Sequence, residues 1–238
     1  MGKTVGIFGP SGDGKTTSII INKDGSFNEK NIFDEKYSGM KPEELFIINF
    51  DNKELPFPGN KWNTTNKNYI KTKEISVFKN IIEGIAKQQK IKAVFIDTIN
   101  LYLAYKEYND RKKLSFDQWR DISNDIIEII DLCNNALRDD QIAYITGHTE
   151  LVTDIDGIDK RVLAVIGKKS KKQQPEGFFP IVIFTYVEDE GDNDAKYYFE
   201  TKKNKSSAKT PIGMFNEFRV PNSLSLIDSR IREYYGIQ

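Results

Sequence analysis

The chain has 238 residues, a length that suits one large α/β domain with a substantial core. Its 35 basic and 35 acidic residues cancel, which excludes a polycation; any contact with nucleic acid must come from a local basic patch. With 38% hydrophobic and 29% charged residues, the composition is that of a folded chain and not of a disordered one.

Residues 3–8, KTVGIF, read as a short buried strand entering a glycine-rich loop, and 15–21, KTTSIII, as the helix after it. No apolar run approaches the roughly 18 residues of a membrane span, and the opening is a strand and loop rather than a signal peptide. A cytoplasmic protein is expected. Residues 22–44 are polar and broken by Gly and Pro, hence loop. LFIINF (45–50) is a second buried strand, and 54–68, with two Pro and one Gly, a long excursion. Apolar positions at Ile75, Phe78, Ile81, Ile82 and Ile85 predict a helix over 74–89. IKAVFID (91–97) is a third strand.

Residues 115–137 carry the strongest helical signal, with Ile122, Ile126, Ile127, Ile129, Ile130 and Leu137 at spacings of three and four. Ser115 stands where an N-cap would, with Asp117 in the first turn. The one cysteine, Cys133, falls in this stretch, so no disulfide forms within the chain and a buried thiol is expected. QIAYITG (141–147) is a fourth strand. Strands alternating with helices argue for a mainly parallel sheet. Beyond residue 150 the pattern changes. IVIFTYV (181–187) and KYYFET (196–201) flank an acidic turn and predict a β-hairpin, and LSLIDSRIREYY (224–235) a closing helix. The whole reads as one domain, with a nucleotide-binding core over about 1–150 and an extension over about 151–238.

Gly9-Pro10-Ser11-Gly12-Asp13-Gly14-Lys15-Thr16 matches G-x-x-x-x-G-K-[ST]. Glycines let the backbone curl so that successive N–H groups face phosphate oxygens. A following helix would add its positive end. In this reading residues Gly9 to Thr17 bind ATP, Lys15 reaches the β- and γ-phosphates, and the Thr16 hydroxyl ligates Mg²⁺. A second carboxylate should end a strand lying beside the P-loop strand, and Asp97, closing AVFID, is the candidate to share the metal. Thr98 follows it, so the Asp-Glu pair of ring ATPases is absent.

Two more residues fall at the carboxyl edge of the sheet. Asp51, after FIINF, is the candidate to orient the attacking water; the competing reading is a turn aspartate before Asn52. His148, the only histidine, is the candidate γ-phosphate sensor, against a loop histidine that anchors backbone. Two basic runs remain. Residues 160–172 hold six Lys or Arg and 202–209 hold four Lys, neither with an acid. Either they are solvated faces, or Lys168, Lys169, Lys171 and Lys172 meet DNA phosphates. Phe178 and Phe179, nearby, fit the core better than base stacking. Lys203 and Lys205 are candidate fingers that reach a neighbouring subunit's γ-phosphate.

Taken in order, GPSGDGKTT (9–17), FIINFDNKELPFPG (46–59), VFIDT (94–98), TGHTE (146–150), VIGKK (165–169), YYFET (197–201), AKTPIGMF (208–215) and VPNSLSLIDSRIREYY (220–235) resemble the RecA-like P-loop ATPases of bacteriophages. That group includes or borders the Sak-type single-strand annealing ATPases. Relatives often carry a second Asp after the strand-ending one, where Thr98 stands here. The resemblance implies a phage protein of an infected bacterial cytoplasm, acting on single-stranded DNA in recombination or replication. It also implies a homo-oligomeric ring or filament and a single-strand-binding or replication protein as partner. The alternative is a nucleotide-gated loading or adaptor factor that hydrolyses ATP poorly. A small-molecule kinase is disfavoured, since no arginine-rich lid is visible.

Overall fold

Four apolar strands set the architecture, because each sends alternate side chains to opposite faces of a sheet. A computed structural model describes residues 3–28, 33–51, 53–58, 61–110, 116–154, 156–165, 174–188 and 195–237, with the backbone alone at 110 and 116–123. The strands are β1 (Lys3–Phe8), β2 (Leu45–Asn49), β3 (Tyr69–Lys71), β4 (Ala93–Asp97), β5 (Ile142–Gly147), β6 (Thr149–Thr153), β7 (Asp159–Leu163), β8 (Ile181–Glu188), β9 (Lys196–Glu200) and β10 (Arg219–Pro221). The helices are α1 (Ile75–Ala86), α2 (Ile99–Asp110), α3 (Phe116–Ala136) and α4 (Leu224–Tyr235).

The main sheet runs β10-β9-β8-β1-β5-β4-β2-β3. Pairing from β8 through to β3 is parallel, and β9 and β10 add antiparallel strands at one edge. The fold is thus α/β, a mainly parallel central sheet flanked by helices, with a C-terminal hairpin and helix. Two cores lie on its faces. Phe46, Ile48, Val94, Ile96, Ala143 and Ile145 pack with α1, α2 and α3 on one side. Leu45, Ile47, Phe95, Tyr144 and Ile183 pack with Leu224, Ile227 and Ile231 of α4 on the other. Cys133 is fully buried, and burial pushes its thiol pKa far up. Ser115 lies outside the described residues. Among those described, no helix is long and apolar enough to cross a membrane.

Two expectations are overturned. The segment after the P-loop is not a helix but a single 3-10 turn, Thr17–Ile19. β-Branched Thr16, Thr17, Ile19, Ile20 and Ile21 crowd a helical backbone. The Thr17 and Ser18 hydroxyls also bind back to the Gly14 and Lys15 carbonyls, at 3.1 and 2.6 Å. The P-loop therefore lacks a long helix dipole behind it. Second, the strand that ends in Asp97 does not lie beside the P-loop strand. β5 intervenes, pairing with β1 on one side and β4 on the other. β5 can hold this place because its side chains are buried toward both faces, as a central parallel strand requires.

Elements that sequence periodicity missed are β3, α2, β10 and the β6–β7 ribbon. The ribbon is tied down by charge. Arg161 of β7 pairs with the buried carboxylate of Glu200 on β9 and donates to the Thr185 carbonyl at 3.0 Å. Arg219 reaches the same Glu200 from β10 at 3.2 Å.

Candidate nucleotide site

Parallel strands β1, β2, β4 and β5 end along one edge, and every strand-end residue singled out from the sequence except the lysine runs gathers there. A cleft of about 280 Å³ opens at this edge, lined by Gly12, Lys15, Thr16, Asp51, Asp97 and His148 among others. Ser11, Gly14 and Thr17 complete the P-loop side, while Gly9, Pro10 and Asp13 are not among the residues that line it.

The loop's shape is set by its glycines. Gly12 and Gly14 have φ of 89° and 81°, a region that side chains disfavour. Gly9 is required for space, since a Cβ there would sit 1.6 Å from Thr185 Oγ1 on β8. The same Thr185 hydroxyl donates to Asp13 Oδ2 at 3.3 Å.

Lys15 is 6% exposed. Its ammonium folds back onto the loop, donating to the Gly9 carbonyl at 2.7 Å and the Pro10 carbonyl at 2.5 Å. Burial pulls its pKa down to about 8, against the opposing pull of the Asp97 and Asp13 carboxylates. A cation held by two neutral carbonyls in a desolvated loop is poised to exchange them for phosphate oxygens.

Thr16 Oγ1 donates to Asp97 Oδ2 at 2.7 Å. The other carboxylate oxygen, Oδ1, takes the Thr98 hydroxyl at 2.6 Å and the Thr146 hydroxyl at 2.8 Å. Asp97 is thereby fixed with one oxygen turned to the P-loop. The peptide between Asp97 and Thr98 is cis. Hydroxyl and carboxylate oxygens are the hard donors Mg²⁺ prefers, and their separation is close to that of adjacent oxygens in an octahedral shell of about 2.1 Å radius. The residues present fit the metal.

Asp51 stands across the cleft, its backbone N–H held by Asn49 Oδ1 at 2.7 Å and its carboxylate 3.2 Å from Lys53 Nζ. His148 is half-buried. Desolvation and then the charge of Lys15 lower its pKa, against the Gly9 carbonyl, Asp97 and Asp51. Its imidazole is therefore neutral at neutral pH. Its backbone N–H is held by Asn100 Oδ1 at 2.7 Å. Asn49, Asn100 and Thr146 were not singled out from the sequence. Their signal was a polar residue inside or just after an apolar strand, which has no purpose in a core.

The basic runs fare differently. Lys168, Lys169, Lys171 and Lys172 lie outside the described residues. Lys203 lines a separate hollow of about 410 Å³ with Lys160 and Lys209, away from the nucleotide cleft. Lys205 is held through its carbonyl, which accepts from Arg161 N at 2.8 Å. Neither lysine enters the cleft of its own chain. Phe179 is 1% exposed and belongs to the core, but Phe178 is 45% exposed. The two differ because the 3-10 turn Pro175–Phe178 ends between them.

No family model matches the chain. No curated protein matches it either. Among solved structures it is similar to a KaiC-like protein of the hyperthermophilic archaeon Pyrococcus horikoshii. The two are 14% identical over 83% of this chain and 77% of that one, with a TM-score of 0.45. So slight a likeness does not bear on function.

Proposed function

We propose that this protein is a RecA-like P-loop ATPase that binds ATP with Mg²⁺ and works on single-stranded DNA. The observation that carries the nucleotide half is the bond between Thr16 and Asp97, made at the mouth of a cleft that also holds Lys15. Thr16 and Asp97 would hold Mg²⁺, which supplies charge neutralisation at the β- and γ-phosphates. Lys15 leaves the Gly9 and Pro10 carbonyls and takes phosphate oxygens instead. Asp51 accepts the proton of the water that attacks the γ-phosphorus as its bond to the β–γ bridging oxygen breaks and ADP leaves, and neutral His148 hydrogen-bonds the γ-phosphate and registers its loss.

Support for the DNA half comes from the sequence: the two acid-free lysine runs and the resemblance of segments such as AKTPIGMF to the RecA-like P-loop ATPases of bacteriophages. In this reading Lys168, Lys169, Lys171 and Lys172 meet phosphates. Lys203 and Lys205 serve a neighbouring copy in a ring or filament. The test is the rate of ATP hydrolysis with and without single-stranded DNA. Strong stimulation supports the reading. Tight ATP binding with no stimulation would replace it with a nucleotide-gated adaptor.

A further inference from the structure

The phosphate loop carries a carboxylate. Asp13 precedes Lys15 by two residues, and its charge acts on the Lys15 ammonium, opposing the burial that lowers the lysine's pKa. Left free, that carboxylate would compete with phosphate oxygens for Lys15 and repel them from the loop. It does neither here. Asp13 does not line the cleft, and the Lys15 ammonium bonds to the Gly9 and Pro10 carbonyls instead. Asp13 Oδ2 accepts from the Thr185 hydroxyl at 3.3 Å.

The fold delivers Thr185 to this contact. β8 runs parallel to β1 as far as the Phe8–Phe184 pair, so the next residues, Gly9 and Thr185, face each other. Gly9 has no Cβ, and the Thr185 Oγ1 occupies the space that one would take. Thr185 is fully buried and pairs with Phe199 of β9 on its other flank. Arg161 donates to its carbonyl at 3.0 Å, while the Arg161 backbone N–H donates to the Lys205 carbonyl at 2.8 Å. A β-branched side chain on a strand held from both flanks has little freedom to turn its hydroxyl elsewhere.

We propose that Thr185 is a positioning residue for nucleotide binding: its hydroxyl holds the Asp13 carboxylate away from Lys15, which leaves that lysine for the β- and γ-phosphates. The proposal rests on the nucleotide reading above. It also gives the C-terminal strands a part in the P-loop's chemistry, since the residue that restrains the loop lies on β8.

The experiment titrates MgATP into the full chain by calorimetry across pH. Thr185→Val keeps the shape and removes the donor. It should weaken ATP about three- to tenfold, the worth of one hydrogen bond. Thr185→Ser keeps the donor and should bind as the unmodified protein does. In Thr185→Val the carboxylate moves toward Lys15 and raises its pKa, so the fall of affinity should begin above about pH 8, the point set by Lys15 in the unmodified protein. Asp13→Asn removes the charge and leaves the β8 core untouched. It should bind ATP at least as tightly as the unmodified protein, and in that background Thr185→Val should have no further effect. Normal ATP affinity in Thr185→Val, a Thr185→Val loss that persists beside Asp13→Asn, or weakened binding in Asp13→Asn alone would each overturn the positioning role and leave the P-loop reading intact. No ATP binding by the unmodified protein would overturn both.

Discussion

Lys15 makes nucleotide affinity depend on pH in a calculable way. In the free protein its pKa is about 8, because burial disfavours the ammonium. A bound triphosphate sets negative oxygens against that ammonium and raises its pKa again. Binding therefore takes up a proton wherever Lys15 is neutral beforehand. The bound-state pKa is the higher one, so affinity is full below about pH 8 and falls as the pH rises above it. The loss is about tenfold, or about 1.36 kcal/mol, per pH unit until the bound-state pKa is reached. Proton uptake should be about 0.5 at pH 8 and about 0.9 at pH 9. Stability of the free protein moves the other way. A depressed lysine pKa opposes folding while the side chain is charged, so stability should rise between pH about 8 and the ordinary lysine value of 10.5. Calorimetric titration of MgATP in two buffers of different ionisation enthalpy measures both affinity and uptake. Flat affinity from about pH 7.5 to 10 with no uptake would mean that Lys15 stays protonated throughout, and the burial argument would fail.

Asp51→Asn should bind ATP normally and hydrolyse it at least about tenfold more slowly, the usual scale of a general base; a normal single-turnover rate would return Asp51 to a turn residue. Gly9→Ala should cost nucleotide binding, because the new methyl meets Thr185 Oγ1 at 1.6 Å, and Thr185→Gly in the same chain should partly restore it in a binding titration. Glu200→Ala leaves Arg161 and Arg219 beside an emptied buried site and should lower stability by about 3–5 kcal/mol in urea unfolding; a loss under about 1 kcal/mol would show that the arginines relax to solvent.

The parallel sheet was legible because β2, β4 and β5 are short apolar runs bounded by polar residues, the mark of strands buried on both faces. The P-loop, Asp97, Asp51 and His148 were legible for a related reason: each follows or ends such a run, so strand ends fix their shared edge. What failed was local. KTTSIII offered apolar residues after a P-loop, which favoured a helix, but β-branching and back-bonding hydroxyls left a single turn. Strand order was illegible because periodicity reports a strand's burial and not its neighbours, so β5 between β1 and β4 could not be read. β6 and β7 were hidden because the ribbon exposes Leu151, Val152 and Ile158, and Arg161 ties it to the sheet through a charge 39 residues away in sequence. Trp62 looked like one more residue of a polar excursion; only packing shows that it is buried with its nitrogen unpaired.

The most direct test of the nucleotide site is Mg²⁺-dependent ATP binding and hydrolysis by the unmodified protein, Lys15→Ala and Asp97→Asn, measured side by side. The unmodified protein is expected to hydrolyse ATP only with Mg²⁺. Lys15→Ala should lose tight triphosphate binding. Asp97→Asn should keep its fold and bind ATP, yet lose the gain that Mg²⁺ confers. Hydrolysis unchanged in both variants would contradict the site built on Lys15, Thr16 and Asp97.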